Sequence, residues 1–401
     1  MTNISTFGQT LTQIKLFTDL QSKFSTLNTQ MATGKVTQKF SGLDKDVMIS
    51  QRARTDFKTL DTYIKNAVNG ERRIQQTLTS IEGFQKQVKA FSSALIGFSQ
   101  QTAHQQGEIV YYDDPLSVAA DPVAMGHTSA APDIELSTLQ DMAAGMYDFM
   151  IELLNTKDGD RYLLGGAETN TPPVSKNGTL DAAISTLIAN WKDEASPSNI
   201  TTGNFINAMK GRDASTDADA ITDTIVGYNA TLSAGNAGNV YVRIDENADV
   251  NYTALANEQG FRDVLVALSF FKNPDLGPVA DTYIPPNAPP NAPDVKGAPG
   301  ANLAEQKENF FNVFDKMTAV VNNAIKDIDR VRYNLETARA RVKEVEQSHK
   351  ETKNLLLGII SEAEDVDSTE VALKINYLQI QLEASYRITA AAGSISLVNF
   401  L

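Results

Sequence analysis

The sequence predicts a mainly α protein in which long N- and C-terminal helices pair with each other and an α+β segment is inserted between them. Both ends of the 401-residue chain carry apolar residues at heptad spacing, whereas the middle carries turn, strand and proline signals. A stripe of heptad period needs a partner helix to bury it. We therefore expect the two terminal stripes to cover each other and the middle of the chain to project from them.

The C-terminal stripe advances by alternating steps of three and four residues. Its members are Phe314, Met317, Val321, Ala324, Ile328, Val331, Leu335, Ala338, Val342 and Val345. A polar break at His349 and Thr352 follows, and the stripe resumes with Leu356, Ile359, Ala363 and Val366. We expect one helix over 303–349 and another over about 355–398. The packing residues of the last segment are predicted to be Leu373, Tyr377, Ile380, Ile395, Leu397, Val398 and Leu401.

The N-terminal region predicts two helices. The first covers residues 4–31, has a nearly uncharged polar face and is expected to end at Gly34. Its apolar face consists of Ile4, Phe7, Leu11, Ile14, Phe17, Leu20, Phe24, Leu27 and Met31. The second helix covers 44–100. Its stripe consists of Ala53, Phe57, Leu60, Ile64, Ala67, Ile74, Leu78, Ile81, Val88 and Leu95.

The middle of the chain lacks long heptad stripes and instead carries turn, strand and proline signals. The expected elements are, in order, a loop at 101–133, a helix at 134–156, a turn at 157–160, a strand at 161–164, a hairpin-type turn at Asn177-Gly178, a strand from Val240 to Ile244 and an apolar helix from Phe261 to Phe271. Most of the prolines fall in 274–300, which predicts a loop or stiff linker.

Composition excludes several functions. A formal net charge of -14 argues against a nucleic-acid-binding surface, because phosphate neutralisation needs an excess of Lys and Arg. The absence of cysteine excludes disulfides and thiolate chemistry. The first ten residues lack the basic and apolar regions of a secretory signal peptide, and no apolar run is long enough for a membrane span. We expect no membrane insertion and no nucleic-acid partner.

The sequence offers no catalytic or metal constellation. Its three histidines, His104, His127 and His349, are far apart, and neither H-E-x-x-H nor a phosphate-binding loop is present. The segment Asp245 to Asn251 spaces oxygen ligands like the start of a calcium loop, but it lacks the glycine and the final glutamate. A solvated turn is therefore the preferred interpretation. We predict that the protein is not an enzyme and binds no cofactor or metal.

The chain ends and the turn after the 134–156 helix resemble a known family. The segment Met31-Ala-Thr-Gly-Lys35 is similar to the sequence after the first helix of bacterial flagellins, and Leu382-Glu-Ala-Ser-Tyr386 through Leu401 is similar to the flagellin C-terminus. The C-terminus is most similar to the hook–filament junction branch, hook-associated protein 3, which residues 155–166 also resemble. The segment Glu364-Asp-Val-Asp-Ser368 resembles the acidic turn before the last helix of the family. The resemblance covers roughly 1–166 and 303–401.

This resemblance implies a layered organisation. Flagellin-type subunits pair their terminal helices into an inner coiled-coil layer, D0, and a surrounding layer, D1. The expected segments are 1–40 for the N-terminal D0 helix, 41–166 and 303–354 for the two halves of D1, 167–302 for an inserted D2-like outer domain, and 355–401 for the C-terminal D0 helix.

The resemblance also implies a function and partners. The chain is expected to be a structural subunit that polymerises with itself into the flagellar filament and serves swimming motility. Hook-associated proteins, the cap and an export chaperone on the C-terminal helix are the implied partners. Type III export without a cleaved signal would place it outside the cell, on the flagellum.

Two alternatives stay open at this stage. The C-terminal sequence favours the hook–filament junction protein, while the long insert favours an exposed filament surface. The more distant alternative is a surface filament protein whose outer domain binds a glycan or host ligand through Trp191, Tyr228, Tyr241 or Tyr252. Burial in a small core is the more ordinary use of such aromatic residues.

Overall fold

The computed structural model describes residues 2–104, 136–194, 196–276, 298–300 and 303–398; its description excludes the side chains of residues 2–7, 9–10, 100–104, 303–307 and 391–398. The helices are α1 (Thr2–Thr33), α2 (Val47–His104), α3 (Leu136–Leu154), α4 (Thr179–Lys192), α5 (Thr202–Lys210), α6 (Asp223–Val226), α7 (Ala230–Ser233), α8 (Gln259–Phe271), α9 (Leu303–Glu364) and α10 (Ser368–Val398). Two antiparallel hairpins contain β1 (Lys157–Asp158) with β2 (Arg161–Tyr162), and β3 (Tyr241–Arg243) with β4 (Asp249–Asn251). The predicted class, long terminal helices around a smaller region that contains strands, is confirmed.

The chain divides into two compact units. The terminal unit consists of Met1–Lys65 and Glu346–Leu401, and the central unit consists of Asn66–Val345. Helices α2 and α9 contribute residues to both units, so each unit contains one antiparallel stretch of the same helix pair. The terminal unit also contains α1 and α10, and the central unit contains all the shorter elements.

An apolar seam between α2 and α9 organises the central unit. The helices run antiparallel: the Phe98 and Phe314 rings lie 5.0 Å apart between centroids, and the carboxylate of Glu71, earlier in α2, accepts from Arg339 later in α9. The seam residues are buried, as the heptad spacing predicts. They include Ala67, Ile74, Leu78, Ile81, Val88 and Leu95 from α2, and Phe314, Met317, Val321, Ala324, Ile328, Val331, Leu335, Ala338 and Val342 from α9.

Helix α8 joins the middle segment to this seam. The Phe261 ring lies 5.0 Å from the Phe84 ring, and the Phe271 ring lies 5.4 Å from Phe91 and 5.2 Å from Phe314 between centroids. Aromatic pairs at these distances and steep angles are favourable beyond the area that they bury. The middle segment therefore shares one hydrophobic core with the two long helices.

A buried arginine ties the loops of the middle segment to α8. The Arg262 side chain is fully buried and donates to the carbonyl oxygens of Gly211 and Ile221. It also pairs with Asp263 at 3.1 Å. Burial raises the pKa of Asp263 despite this pairing, since desolvation penalises the charged carboxylate. The Arg262 side chain thus supplies hydrogen-bond donors to two backbone carbonyl oxygens, as buried backbone polar groups require.

Helices α1 and α10 pack against each other in the terminal unit. They run antiparallel, because the Phe17 ring contacts the Tyr386 ring at 4.9 Å, while Lys35 after α1 forms an ion pair with Asp365 before α10. Gly34 ends α1 with a φ of 68°, the left-handed conformation that favours glycine at a helix end. The expected end of the first helix is thus confirmed.

The expected break between 349 and 355 is wrong. Helix α9 continues to Glu364, and α10 begins only at Ser368. The polar residues of the seam have partners: Glu346 pairs with Lys350, and the His349 ring lies beside the Tyr63 ring at 6.0 Å. Histidine, glutamate and threonine all keep the backbone N–H that a helix needs. Polar residues at seam positions such as His349 therefore do not end α9. Asp367 accepts from the backbone N–H of Thr369 at 2.8 Å and thereby caps the start of α10.

The hairpin expected at Asn177-Gly178 is also wrong. Gly178 has a φ of 74° and directly precedes α4. Its positive φ belongs to the turn that leads into this helix, and not to the loop of a β-hairpin. The other expected elements are found with small shifts at their ends, including α3, β2, β3 and α8. The expected loop at 101–133 is helical as far as His104, and the rest of it lies outside the described residues, as does most of 274–300.

We predict that Gly260→Ala destabilises the protein. A Cβ at this position of α8 would lie 2.8 Å from the carbonyl oxygen of Ala324 and 3.0 Å from the backbone nitrogen of Ile328 in α9. Backbone atoms move little, so the overpacking is expected to cost about 1–3 kcal/mol. Denaturant unfolding followed by the fluorescence of Trp191, the one tryptophan of the chain, measures this cost.

The matched control is Gly145→Ala in α3. A Cβ there meets nothing within 4 Å, and alanine is the better helix former by about 0.8–1.0 kcal/mol. The control variant should be as stable as the wild type or more stable. Equal effects of the two substitutions would contradict the close approach of α8 to α9.

Candidate assembly surface

Helix α10 has two apolar faces, and the first of them contacts α1. This inner face consists of Val371, Ile375, Leu378 and Leu382. Val371 and Leu378 are buried, and Ile375 and Leu382 are half-buried. The half-buried side chains of α1 that complete this pair are Phe17, Leu20, Phe24 and Leu27.

The second face of α10 is exposed. The outer face consists of Leu373, Tyr377, Ile380 and Ile388, whose side chains are 65%, 63%, 66% and 61% exposed. The first three each follow an inner-face residue by two positions, and two positions of an α-helix are about 200° apart. The outer face therefore lies on the side of α10 roughly opposite its inner face. A helix that is apolar on opposite sides is typical of a fully buried environment.

Exposed apolar side chains are concentrated in the terminal unit. Of the nineteen large hydrophobic side chains found exposed in the described part of the chain, fourteen belong to this unit. Besides the outer face they include Met48 and Ile49 at the start of α2, and Leu355 and Leu357 near the end of α9. A concentration of this kind marks an interaction surface, whereas isolated exposed apolar residues are ordinary.

A groove beside the α1–α10 pair extends this surface. Its apolar lining comes from Leu20 and Leu27 of α1 and from Leu373, Tyr377 and Leu378 of α10. Charged groups on the groove are Lys23, Lys374 and Glu370. The groove thus brings apolar residues of both faces of α10 together with apolar residues of α1.

Those residues singled out by the sequence for packing whose side chains the structure describes fall into three groups. Val331, Leu335 and Val342 are buried in the central unit, whereas Phe24, Leu27, Phe57, Leu60 and Ile64 are half-buried in the terminal unit. Leu11 and Ile14 are 51% and 56% exposed and share this exposure with Leu373, Tyr377 and Ile380. The side chains of Ile4, Phe7, Ile395, Leu397, Val398 and Leu401 lie outside the described residues. Their roles in subunit packing stay predictions.

Sequence reasoning missed the inner face of α10. Val371 and Leu378 make the intrachain contact with α1 but were not singled out. Both faces carry residues at spacings of three and four, so the sequence pattern gives two equivalent stripes. The N-cap at Asp367 fixes where the helix starts, but a partner helix is needed to decide which stripe is covered.

Ion pairs flank the apolar seam of the terminal unit. Asp61 of α2 pairs with Lys353 of α9 at 2.5 Å and with Lys65 at 2.8 Å. The hydrogen bond from Lys353 holds the pKa of this carboxyl at about 2, with a further contribution from Lys65. The Lys353 ammonium also lies 4.6 Å from the centre of the Phe57 ring. Ion pairs as exposed as these contribute little to stability.

Other candidate sites give no functional arrangement. Among the described residues, no cluster of three His, Asp or Glu side chains is placed to hold a metal ion. The Asp245 carboxylate accepts from the backbone N–H of Glu246 at 2.7 Å, as expected for a solvated turn. Trp191 and Tyr228 are buried, which leaves Tyr241 as the exposed member of the aromatic set considered for ligand stacking. None of the described helices combines the length and the apolar sequence that a bilayer span requires.

The C-terminal part of the chain matches a known protein family. Residues 318–401 match the family described as bacterial flagellin C-terminal helical region. A comparison with curated protein sequences gives no match. The chain is similar to a solved structure assigned as a flagellar hook-associated protein from Vibrio parahaemolyticus, with 10% identity, 79% of this chain and 96% of that chain covered, and a TM-score of 0.38. A likeness at this TM-score supports no conclusion about function.

The family match covers most of the part of α9 that supplies the seam, from Val321 onward, and the whole of α10. Those are the elements that bury one apolar stripe and expose another. The C-terminal region of the chain, residues 318–401, is thus similar to the C-terminal helical region of bacterial flagellins.

Proposed function

We propose that the protein is the filament-forming subunit of a bacterial flagellum, a flagellin that polymerises with itself. The observation that carries this proposal is the outer face of α10, a row of large apolar side chains about two-thirds exposed in the single chain. In a helical homopolymer, copies of the terminal unit would cover each other's exposed faces. Motility, and export without a cleaved signal to the outside of the cell, follow from this function.

The energetics favour such coverage. Fully burying a large apolar side chain contributes about 1.5–3 kcal/mol. Leu373, Tyr377 and Ile380 repeat along the helix, so one neighbouring helix can cover all three at once. A homopolymer places the same face on every subunit, which makes this contribution available at each contact.

Several partners belong to the same proposal. The hook-associated proteins and the cap would contact the ends of the polymer, and an export chaperone would cover the C-terminal helix before assembly. The amphipathic groove and the outer face support these assignments, since both would be exposed on an unassembled subunit.

The hook–filament junction protein is the alternative function within the same superfamily. The segment from Asn155 to Gly166 and the C-terminal sequence favour it, whereas the long insert at 167–302 favours the filament. Quantitative mass spectrometry of sheared, purified flagella separates the two. A filament subunit should dominate the preparation, while a junction subunit should be a trace component that enriches with hook-end fragments. Absence of the chain from both fractions would contradict a flagellar role.

We predict that Ile380→Asp abolishes polymerisation without unfolding the subunit. The side chain is 66% exposed, so a carboxylate costs little in the monomer, where surface substitutions usually change stability by less than about 0.5 kcal/mol. At a subunit interface the same carboxylate would be buried without a partner, which costs several kcal/mol in general. Sedimentation after seeding with short polymers measures assembly, and circular dichroism measures folding.

Gln379→Asp is the matched control, because it adds the same charge at the neighbouring exposed polar position of α10. It should polymerise like the wild type. A third variant, Leu335→Asp, places the charge in the buried seam of the central unit, where the side chain is 1% exposed. It should fail to assemble because the subunit itself loses stability. Normal polymers from Ile380→Asp would contradict the assembly role of the outer face.

We predict that deletion of residues 380–401 also abolishes polymerisation. The deletion removes Ile380, Leu382 and Ile388 and hence parts of both apolar faces of α10. The central unit should keep its unfolding transition, measured by Trp191 fluorescence, because its core lies within Asn66–Val345. Retained polymerisation would exclude the end of α10 from the assembly surface.

A further inference from the structure

A single carboxylate lies where three segments of the terminal unit meet. Glu364, the last residue of α9, has a side chain that is 8% exposed. Arg54 of α2 donates to it through Nε at 2.6 Å and Nη2 at 2.5 Å, and Ser50 donates through Oγ at 2.6 Å. Lys35 approaches from the segment after α1, with Nζ at 3.5 Å. A two-pronged arginine contact is the strongest and most directional way to hold a carboxylate.

The backbone at the same place ties two connecting segments together. The N–H of Val36 donates to the carbonyl oxygen of Glu364 at 2.7 Å, and the N–H of Val366 donates to that of Gly34 at 3.0 Å. Lys35 and Asp365 form an ion pair at 2.5 Å across this bridge. The connection that follows α1 is thus fastened to the connection that precedes α10.

These contacts link two helix pairs. On one side of the bridge are α1 and α10, and on the other side are α2 and α9. The Glu364 side chain holds α2, while its carbonyl oxygen holds the segment after α1. The direction in which the α1–α10 pair leaves the α2–α9 pair therefore depends on one residue and its immediate partners.

We propose that Glu364 is a positioning residue whose ionised side chain acts as a latch, fixing the α1–α10 pair in one direction relative to the α2–α9 stretch of the terminal unit. The groups that face this carboxylate are Arg54 and Ser50 from α2 and Lys35 from the segment after α1, with the Asp365 carboxylate beside it. The Phe40 ring lies 5.9 Å from the Arg54 guanidinium and covers it from one side. The latch is thus made of contacts between segments far apart in sequence.

The consequence for assembly rests on the proposed function. A regular polymer needs every subunit to present its outer face in the same direction. With the latch open, the α1–α10 pair would keep its own packing but would vary in direction. We infer that subunits without the latch form fewer or irregular polymers even though each helix pair is intact.

The test is hydrogen exchange in the full-length protein with the Glu364→Gln variant. The amide replaces one acceptor oxygen by a donor that faces Arg54, so the two-pronged contact cannot form. We expect protection of the Val36 and Val366 amides to fall at least about tenfold, while amides in the middle of α2 and α9 keep theirs. The control is Glu383→Gln, which removes the exposed pair with Arg387 on α10 by the same chemical change and should leave all protection unchanged.

Ser50→Ala is a milder second variant. It removes one hydrogen bond to Glu364 and keeps the arginine contact, so protection at Val36 and Val366 should fall by less than in Glu364→Gln. Unchanged protection in both variants would overturn the latch, as would absence of protection at these amides in the wild-type protein. The fluorescence of Trp191 checks that the central unit is folded in each variant.

Acid should open the latch. The hydrogen bonds from Arg54, followed by those from Ser50 and by the charge of Lys35, lower the pKa of Glu364 from 4.5 to about 2. A carboxyl whose pKa is depressed in the folded state contributes stability above its unfolded pKa and loses it as the pH falls towards the folded value. The Tm difference between wild type and Glu364→Gln should therefore be constant above pH 5 and shrink between about pH 4.5 and 2. A pH-independent difference would contradict an ionised latch.

Assembly gives the readout that separates the latch from the proposed function. One result supports both the proposed function and the latch: wild type polymerises, and Glu364→Gln gives irregular or short polymers by electron microscopy. If Glu364→Gln loses protection but polymerises with wild-type regularity, the latch does not set the direction needed for assembly, and the proposal is overturned. If wild type itself does not polymerise, the proposed function fails, and hydrogen exchange on the monomer still decides the latch.

Discussion

Burial of one apolar seam between α2 and α9 is the interaction on which the other elements depend. The seam aligns the two helices antiparallel, and that alignment brings Phe84, Phe91 and Phe314 to the places where α8 packs. Without it the middle segment would lose one side of its own core. In isolation these long helices would also lose most of their stability, since packing rather than propensity stabilises helices in proteins.

The terminal unit follows a different principle. There the helices bury one stripe within the chain and expose a second, as α10 does with its inner and outer faces. The central unit buries most of its large apolar side chains internally, whereas the terminal unit leaves many of them exposed. The same chain thus combines a self-sufficient core with an exposed apolar surface that the proposed assembly would cover.

The contacts near Glu364 show why the two connections of the terminal unit need more than apolar packing. Hydrophobic contact has no direction, so it cannot fix the angle between two helix pairs joined by short segments. Charged hydrogen bonds with two-pronged geometry do have direction. The buried Arg262 of the middle segment acts similarly, because it orients the loops at Gly211 and Ile221 by donating to their carbonyls. In both places a buried charge specifies geometry where apolar residues supply stability.

The sequence by itself determined the helical class, the heptad stripes, the end of α1 at Gly34 and the resemblance of the chain ends to flagellins. These features follow from local periodicity and from residue types with strong backbone preferences. The tertiary structure decided what periodicity leaves open. It continued α9 through His349 because Tyr63 and charged partners accommodate the polar positions. It also selected Val371 and Leu378, rather than Leu373 and Ile380, for the contact with α1. Two stripes on one helix are equivalent until a partner helix covers one of them, and the position of that partner depends on residues more than three hundred positions away.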